Sequence, residues 1–309
     1  MPLAASGALV AEAAAAGTAV AAFNVITLEH VEAVVTGAEA ARAPVILQVS
    51  ENAVAFRGHR LRPLARAAAE VAEQAAVPVG LHLDHVQSDE LLRQAADAGF
   101  SSVMYDAARL PYAQNLSATR AAVEWAHARG LWIEAELGEV GGKGTAEVGG
   151  KGTAEVGGKG TAEVGGKGTA APRGAHEPGA RTDPDEAREF VAACGVDALA
   201  VAIGSSHAMT RRTATLDHDL LRRLVPAAGV PLVLHGSSGV PDDELAAAVA
   251  GGIAKVNIGT ALNVAMTGTL QAYLADHPDV VDCRRYLAAA RTEMAETVTR
   301  LIGVVRGTA

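Results

Sequence analysis

The sequence is poor in aromatic residues, in cysteine and, outside one short region, in lysine. Aromatics make up 3% of the 309 residues, so any core must be built from aliphatic side chains and alanine. Two cysteines, Cys194 and Cys283, cannot form a disulfide framework, and a reducing cytoplasm is the expected setting. No apolar run reaches the ~18 residues of a membrane span. The first seventeen residues contain no basic side chain and read as an Ala-rich helix rather than a signal peptide. A formal net charge of -9 argues against nucleic acid or an anionic membrane as partner. Of 26 basic residues only five are lysine, and four of these (Lys143, Lys151, Lys159 and Lys167) lie in one low-complexity stretch. Lys255 is the fifth.

That stretch is a repeat: EVGGKGTA occurs four times without a mismatch, over 139–170. A period of eight is too short for a solenoid. Each unit has one bulky apolar residue, a valine, too little to offset the entropy of ordering it, so a disordered surface loop is expected. The glycine–lysine pairs lack the following Ser or Thr and the upstream glycine of a phosphate-cradling loop. Loops lengthen at small entropic cost, which makes a tolerated in-frame duplication the simplest origin.

Outside the repeat, short apolar runs alternate with helix-like segments. The runs are 19–25, 44–50, 77–85, 101–106, 131–137, 198–204, 231–236 and 253–259. Between them, spacings such as Val31, Val34, Val35 and Ala38 are helical, and Asp183 before Pro184 marks a helix start. Buried strands separated by helices give a parallel sheet covered on both faces, and eight such units predict one (β/α)₈ barrel spanning the chain. The repeat would interrupt it after the fifth strand, and 283–303 would add a terminal helix.

In such barrels the active site forms at the C-terminal strand ends. Polar residues stand there at every strand: Asn24, Ser50, Asp84 with His85, Asp106, Glu136, Ser205 to His207, His235 and Asn257. Three histidines on one rim, His85, His207 and His235, are a catalytic zinc arrangement with an open fourth position. Asp84 would be a general base, but it can share a site with His85 only if the strand ends or bulges between them. Asp106 and Glu136 could form a second metal site, orient the histidines, or cap the structure. HGSSG (235–239) and NIGT (257–260) follow the seventh and eighth strands, the usual phosphate position of this fold. Gly236, Ser238, Asn257 and Thr260 would hold that phosphate, with Asn24 and Ser50 as further substrate contacts. His82 is expected to be a satisfied core histidine or a hydrogen-bonded neighbour behind the site. His30, His59, His127, His218 and His277 are expected on the surface.

The motifs LHLDH, VMYDA, EAELGEVGG, AVAIGSSH, VLHGSSG and KVNIGT, in that order, resemble the class II, metal-dependent ketose-bisphosphate aldolases, and more closely their tagatose-bisphosphate branch. The resemblance implies Zn²⁺ on His85, His207 and His235, with a second divalent or a monovalent cation as a further candidate. It implies Asp84 as the residue that moves the proton, and dihydroxyacetone phosphate held by Gly236, Ser238, Asn257 and Thr260. A cytoplasmic dimer or tetramer acting on a small phosphorylated sugar is the expected assembly. Departures occur at Lys143 and Gly144, where relatives often carry an acidic proton donor, and at Ala208, where a glycine usually follows the second histidine. Ala108 replaces an expected serine. Gly259 stands where fructose-bisphosphate enzymes tend to carry aspartate, which leaves the sugar open. A Schiff-base aldolase would need a buried lysine, and Lys255 is the one candidate outside the repeat. A metal-dependent hydrolase and an inactive sugar-phosphate binder are the alternatives.

Overall fold

A computed structural model describes residues 3–138 and 181–308, so the octapeptide repeat and His176 lie outside the described residues. Strand β1 (Leu3–Ala4) precedes eight longer strands: β2 (Val20–Asn24), β3 (Val45–Ser50), β4 (Val79–Val86), β5 (Ser102–Tyr105), β6 (Trp132–Leu137), β7 (Ala198–Val201), β8 (Leu232–Leu234) and β9 (Ile253–Ile258). Every pairing is parallel, and because β9 pairs with β2 as well as β8, strands β2–β9 close into a barrel. The eight strands fall on the eight apolar runs of the sequence. A parallel strand must be covered on both faces, which explains why these runs are continuous rather than alternating.

Each strand is followed by helical structure that returns the chain to the bottom of the barrel. Val31, Val34, Val35 and Ala38 are buried on helix Leu28–Ala41, as their spacing requires. Asp183 accepts hydrogen bonds from the Asp185 and Glu186 backbone N–H groups and caps helix Pro184–Cys194. The link from β4 to β5 is the exception, reduced to Asp89–Leu92 and a turn of 3₁₀ helix at Ala96–Ala98. The last helix, Cys283–Arg306, packs on Leu28–Ala41, where a Cβ on Gly37 would stand 2.5 Å from the Ala295 carbonyl oxygen. No larger residue fits at that crossing.

The N-terminal helix, Ser6–Ala15, plugs the barrel from below. Leu9, Val10 and Ala13 pack with Val20, Ala22, Ile46 and Ala254 at the strand starts. Strand β1 pairs with Val79 and Gly80, on the stretch of β4 before β5 joins it at His82. With the lower end closed by apolar packing, access to the interior lies at the upper rim. Among the described residues no helix is long and apolar enough to cross a membrane.

Candidate metal centre and active site

Strand β4 determines much of the site. Its pairing with β5 shifts register between Leu83 and Val86, and His85 adopts φ +52°. This irregularity turns two consecutive side chains, Asp84 and His85, toward one cavity, where a regular strand would point them apart. The cavity, of about 240 Å³, is also lined by Asn24, Ser50, His207, Gly236, Ser238, Asn257 and Thr260. All nine of these rim residues were legible in the sequence.

Behind this surface the histidines converge. His85 Nε2 lies 3.2 Å from His235 Nδ1, and the His207 ring centroid is 5.1 Å from that of His85 and 5.9 Å from that of His235. One donor atom from each of His85, His207, His235 and Glu136 can be chosen so that all four lie within 4.8 Å of one another. Glu136 Oε2 is 3.7 Å from His235 Nδ1. Asp106 has a different place: its Oδ2 accepts a hydrogen bond from His85 Nδ1 at 2.9 Å. Asp106 is thus hydrogen-bonded to a histidine of the cluster, and Glu136 is a member of it.

Asp84 is buried and accepts a hydrogen bond from Asn24 Nδ2 on Oδ2, at 2.8 Å. Its Oδ1 has no hydrogen-bond partner among the described residues. Burial pushes its pKa up, but the neighbouring His85 and His235 imidazoles and the Lys255 ammonium, with the Asn24 amide, outweigh burial and hold the carboxyl below its ordinary value.

The phosphate-type loops are tied together. Gly236 has φ +65°, and a Cβ there would lie 2.6 Å from the Ser206 carbonyl carbon. Only glycine lets the loop after β8 lie directly on the loop that carries His207. Ser238 Oγ accepts a hydrogen bond from the Ala261 N–H in the first turn of helix Thr260–Asp276, whose positive end therefore faces the cavity beside Thr260. Ser50 likewise caps helix Glu51–Phe56 through the Ala53 N–H. Both hydroxyls keep a proton to donate. Asn52 and Asn263 also line the cavity and were not singled out in the sequence, although each lies within three residues of a rim residue that was.

Below the rim is a polar layer in which His82 and Lys255 were singled out in the sequence, but Gln48 and Glu134 were not. Gln48, His82, Glu134 and Lys255 are fully buried. Each stands two positions before a polar residue at the strand end (Ser50, Asp84, Glu136, Asn257), and the period of two places both on the inner face. That spacing was the available signal. His82 is the expected core histidine: Nδ1 is 2.8 Å from Ser102 Oγ, and burial, then the Lys255 ammonium, push its pKa well below the ordinary range. The Lys255 ammonium donates to Glu134 Oε2 at 2.8 Å, so it stands as an ion-paired cation rather than a nucleophile.

One expectation is corrected. His30 is buried, not on the surface, with Nδ1 3.0 Å from Thr27 Oγ1 and Nε2 3.3 Å from Asn263 Oδ1. Burial lowers its pKa. Its helix begins at the rim, where His30 meets Asn263 of helix Thr260–Asp276, a contact that no local spacing reveals. His59, His127 and His277 are exposed and His218 is half-buried. A larger groove, about 590 Å³, lies outside the barrel between helices Leu28–Ala41 and Cys283–Arg306, and no imidazole lines it.

Comparison with known proteins agrees with this geometry. The family described as "Fructose-bisphosphate aldolase class-II" matches residues 5–308. A protein of Bacillus subtilis (strain 168), named "Probable fructose-bisphosphate aldolase", is 34% identical over 299 residues, covering 96% of this chain and 95% of that protein. The crystal structure of the YdjI aldolase from Escherichia coli K12 superposes with a TM-score of 0.77 at 29% identity, covering 98% of this chain and 97% of that one. Fructose-bisphosphate aldolase from Campylobacter jejuni, at 20% identity, shares the fold with a TM-score of 0.76 over 98% of this chain and 95% of that one. With three imidazoles and a buried aspartate gathered on the rim of a matching barrel, the chain belongs to the class II fructose-bisphosphate aldolase family of lyases.

Proposed function

We propose that this chain catalyses reversible aldol cleavage of a ketose bisphosphate, of the tagatose-1,6- or fructose-1,6-bisphosphate type, to dihydroxyacetone phosphate and an aldehyde. The observation that carries this reading is the convergence of His85, His207, His235 and Glu136 beside a buried aspartate with one oxygen unengaged. The donor set fits zinc: nitrogens 3.2 Å apart in His85 and His235 approach the edge of about 3.3 Å expected for tetrahedral Zn–N bonds. His85, His207 and His235 would hold Zn²⁺, whose Lewis acidity polarises the ketose carbonyl and spreads the charge left when the neighbouring carbon loses a proton. Glu136 is the remaining donor for that ion or for a second cation.

Asp84 moves the proton. Asn24 fixes Oδ2, which leaves Oδ1 as the atom that takes the proton in the synthetic direction and returns it in cleavage. Gly236, Ser238, Asn257 and Thr260, with the start of helix Thr260–Asp276, bind the phosphate of dihydroxyacetone phosphate. Ser50 is a further donor to the substrate. Assembly into a dimer or tetramer, as the family resemblance implies, is part of this reading. Free thiols at Cys194 and Cys283 support a reducing cytoplasmic setting. Deleting three copies of the repeat over 139–170, which lies outside the described residues, is expected to leave turnover unchanged.

Incubating the zinc-loaded protein with dihydroxyacetone phosphate in deuterated water tests the reaction. Exchange of the carbon-bound proton is expected. Hydrolysis without exchange would favour a metal-dependent hydrolase, and neither would leave a sugar-phosphate binder. Aldol cleavage across a panel of ketose bisphosphates then selects the stereoisomer, which one inverted hydroxyl decides.

A further inference from the structure

The polar layer inside the barrel holds a chain of contacts that ends on one histidine of the metal centre. Lys255 Nζ on β9 donates to Glu134 Oε2 on β6 at 2.8 Å, and Glu134 Oε1 lies 2.7 Å from His235 Nε2 at the end of β8. All three side chains have zero exposure. We propose that Glu134 and Lys255 are positioning residues for the metal centre, together holding the His235 proton on Nε2 so that its Nδ1 lone pair faces His85. The inference rests on His235 being a metal ligand.

The proton assignment follows from what each group can do. An ammonium only donates, so Glu134 Oε2 must accept. A fully buried ammonium needs a counter-charge, which requires Glu134 to be the anion. An anionic carboxylate only accepts, so Glu134 Oε1 takes its hydrogen bond from His235 Nε2–H. The neutral ring then carries its lone pair on Nδ1, the nitrogen 3.2 Å from His85 Nε2. The Asn257 amide is 3.0 Å from the same Nε2, but with that nitrogen's proton committed it has no acceptor there. Both oxygens of Glu134 are engaged from different strands, so the carboxylate cannot rotate away. Glu134 sets the proton and the ring plane, and Lys255 sets Glu134.

A structural ion pair and a metal-positioning pair differ in what a neutral replacement restores. The double variant Glu134→Gln with Lys255→Met removes both charges at similar volume and leaves no buried charge unpaired, so it should keep the fold. Zinc affinity of the metal-free protein, measured by chelator competition, is expected to fall about 10–100-fold in that variant while its unfolding midpoint stays close to wild type. Lys255→Met alone should weaken zinc in the same direction. Nitrogen-15 NMR of the unmodified, histidine-labelled metal-free protein, with His235 assigned by comparison with His235→Gln, should show the Nε2–H tautomer and needs no folded Glu134 variant. Zinc affinity in the double variant within about twofold of wild type, below the loss expected of a ligand-orienting partner, overturns the inference, as does an Nδ1–H tautomer. Wild-type protein that binds no zinc overturns the metal reading itself, a result distinct from wild type and variant binding equally.

Discussion

Two histidines of the same centre are supported in opposite ways. His85 stands at the mouth on the bulged end of β4, its side chain 21% exposed, with the Asp106 carboxylate behind it. His235 is fully buried at the end of β8, with an ion pair behind it that spans two further strands. Removing the partly exposed His85 ring would open the buried Asp106 carboxylate to the mouth, whereas removing the His235 ring would leave Glu134 Oε1 without its donor inside the barrel. Two histidines proposed for the same role should therefore differ in how much stability depends on them.

Alanine at either position is expected to abolish turnover, with added zinc failing to restore it, because each removes a donor nitrogen. The two variants should separate in urea unfolding. His235→Ala strips Glu134 Oε1 of its donor and is expected to cost about 1–3 kcal/mol, while His85→Ala should cost less. Equal losses would break the comparison.

Asp84→Asn keeps the shape and removes the base. Turnover should fall by about 10²–10⁴ while zinc content stays at the wild-type level. Loss of zinc along with activity would instead make Asp84 a ligand. Asp106→Asn sharpens the contrast: zinc affinity should fall about tenfold, toward the low end of the range for a ligand's hydrogen-bond partner, since His85 is open to solvent. A fall as large as that of the Glu134 and Lys255 double variant would mean depth does not matter.

The smallest effect is expected at Ala208, which follows His207 with φ +59°. A left-handed alanine carries about 1–2 kcal/mol of strain, and Ala208→Gly relieves it against a larger unfolded-state entropy. A net stabilisation of about 1 kcal/mol or less should appear in the urea midpoint. Destabilisation would show that the methyl group packs usefully at the mouth.

The barrel and its rim were legible in the sequence because both rest on local patterns. Continuous apolar runs are what a doubly covered parallel strand requires, and a polar residue closing each run marks the open end. Glu134 and Lys255 were not legible as partners, since one lies on β6 and the other on β9, and only closure of the barrel brings them within 2.8 Å. His30 failed for the same reason, its neighbour Asn263 being 233 positions away. The bulge in β4 was legible as a condition: Asp84 and His85 could serve one site only if the strand broke its regular alternation, and it does.

That irregularity has a mechanical consequence. Asp84 and His85, the proposed base and ligand, are joined by a single peptide bond, so any breathing of the rim carries them as one body. The relation between the two side chains is then set by the local conformation of the strand end rather than by packing between separate loops. Thermal motion that loosens the surrounding loops would change how often a substrate enters without changing the relation between the two groups that act on it.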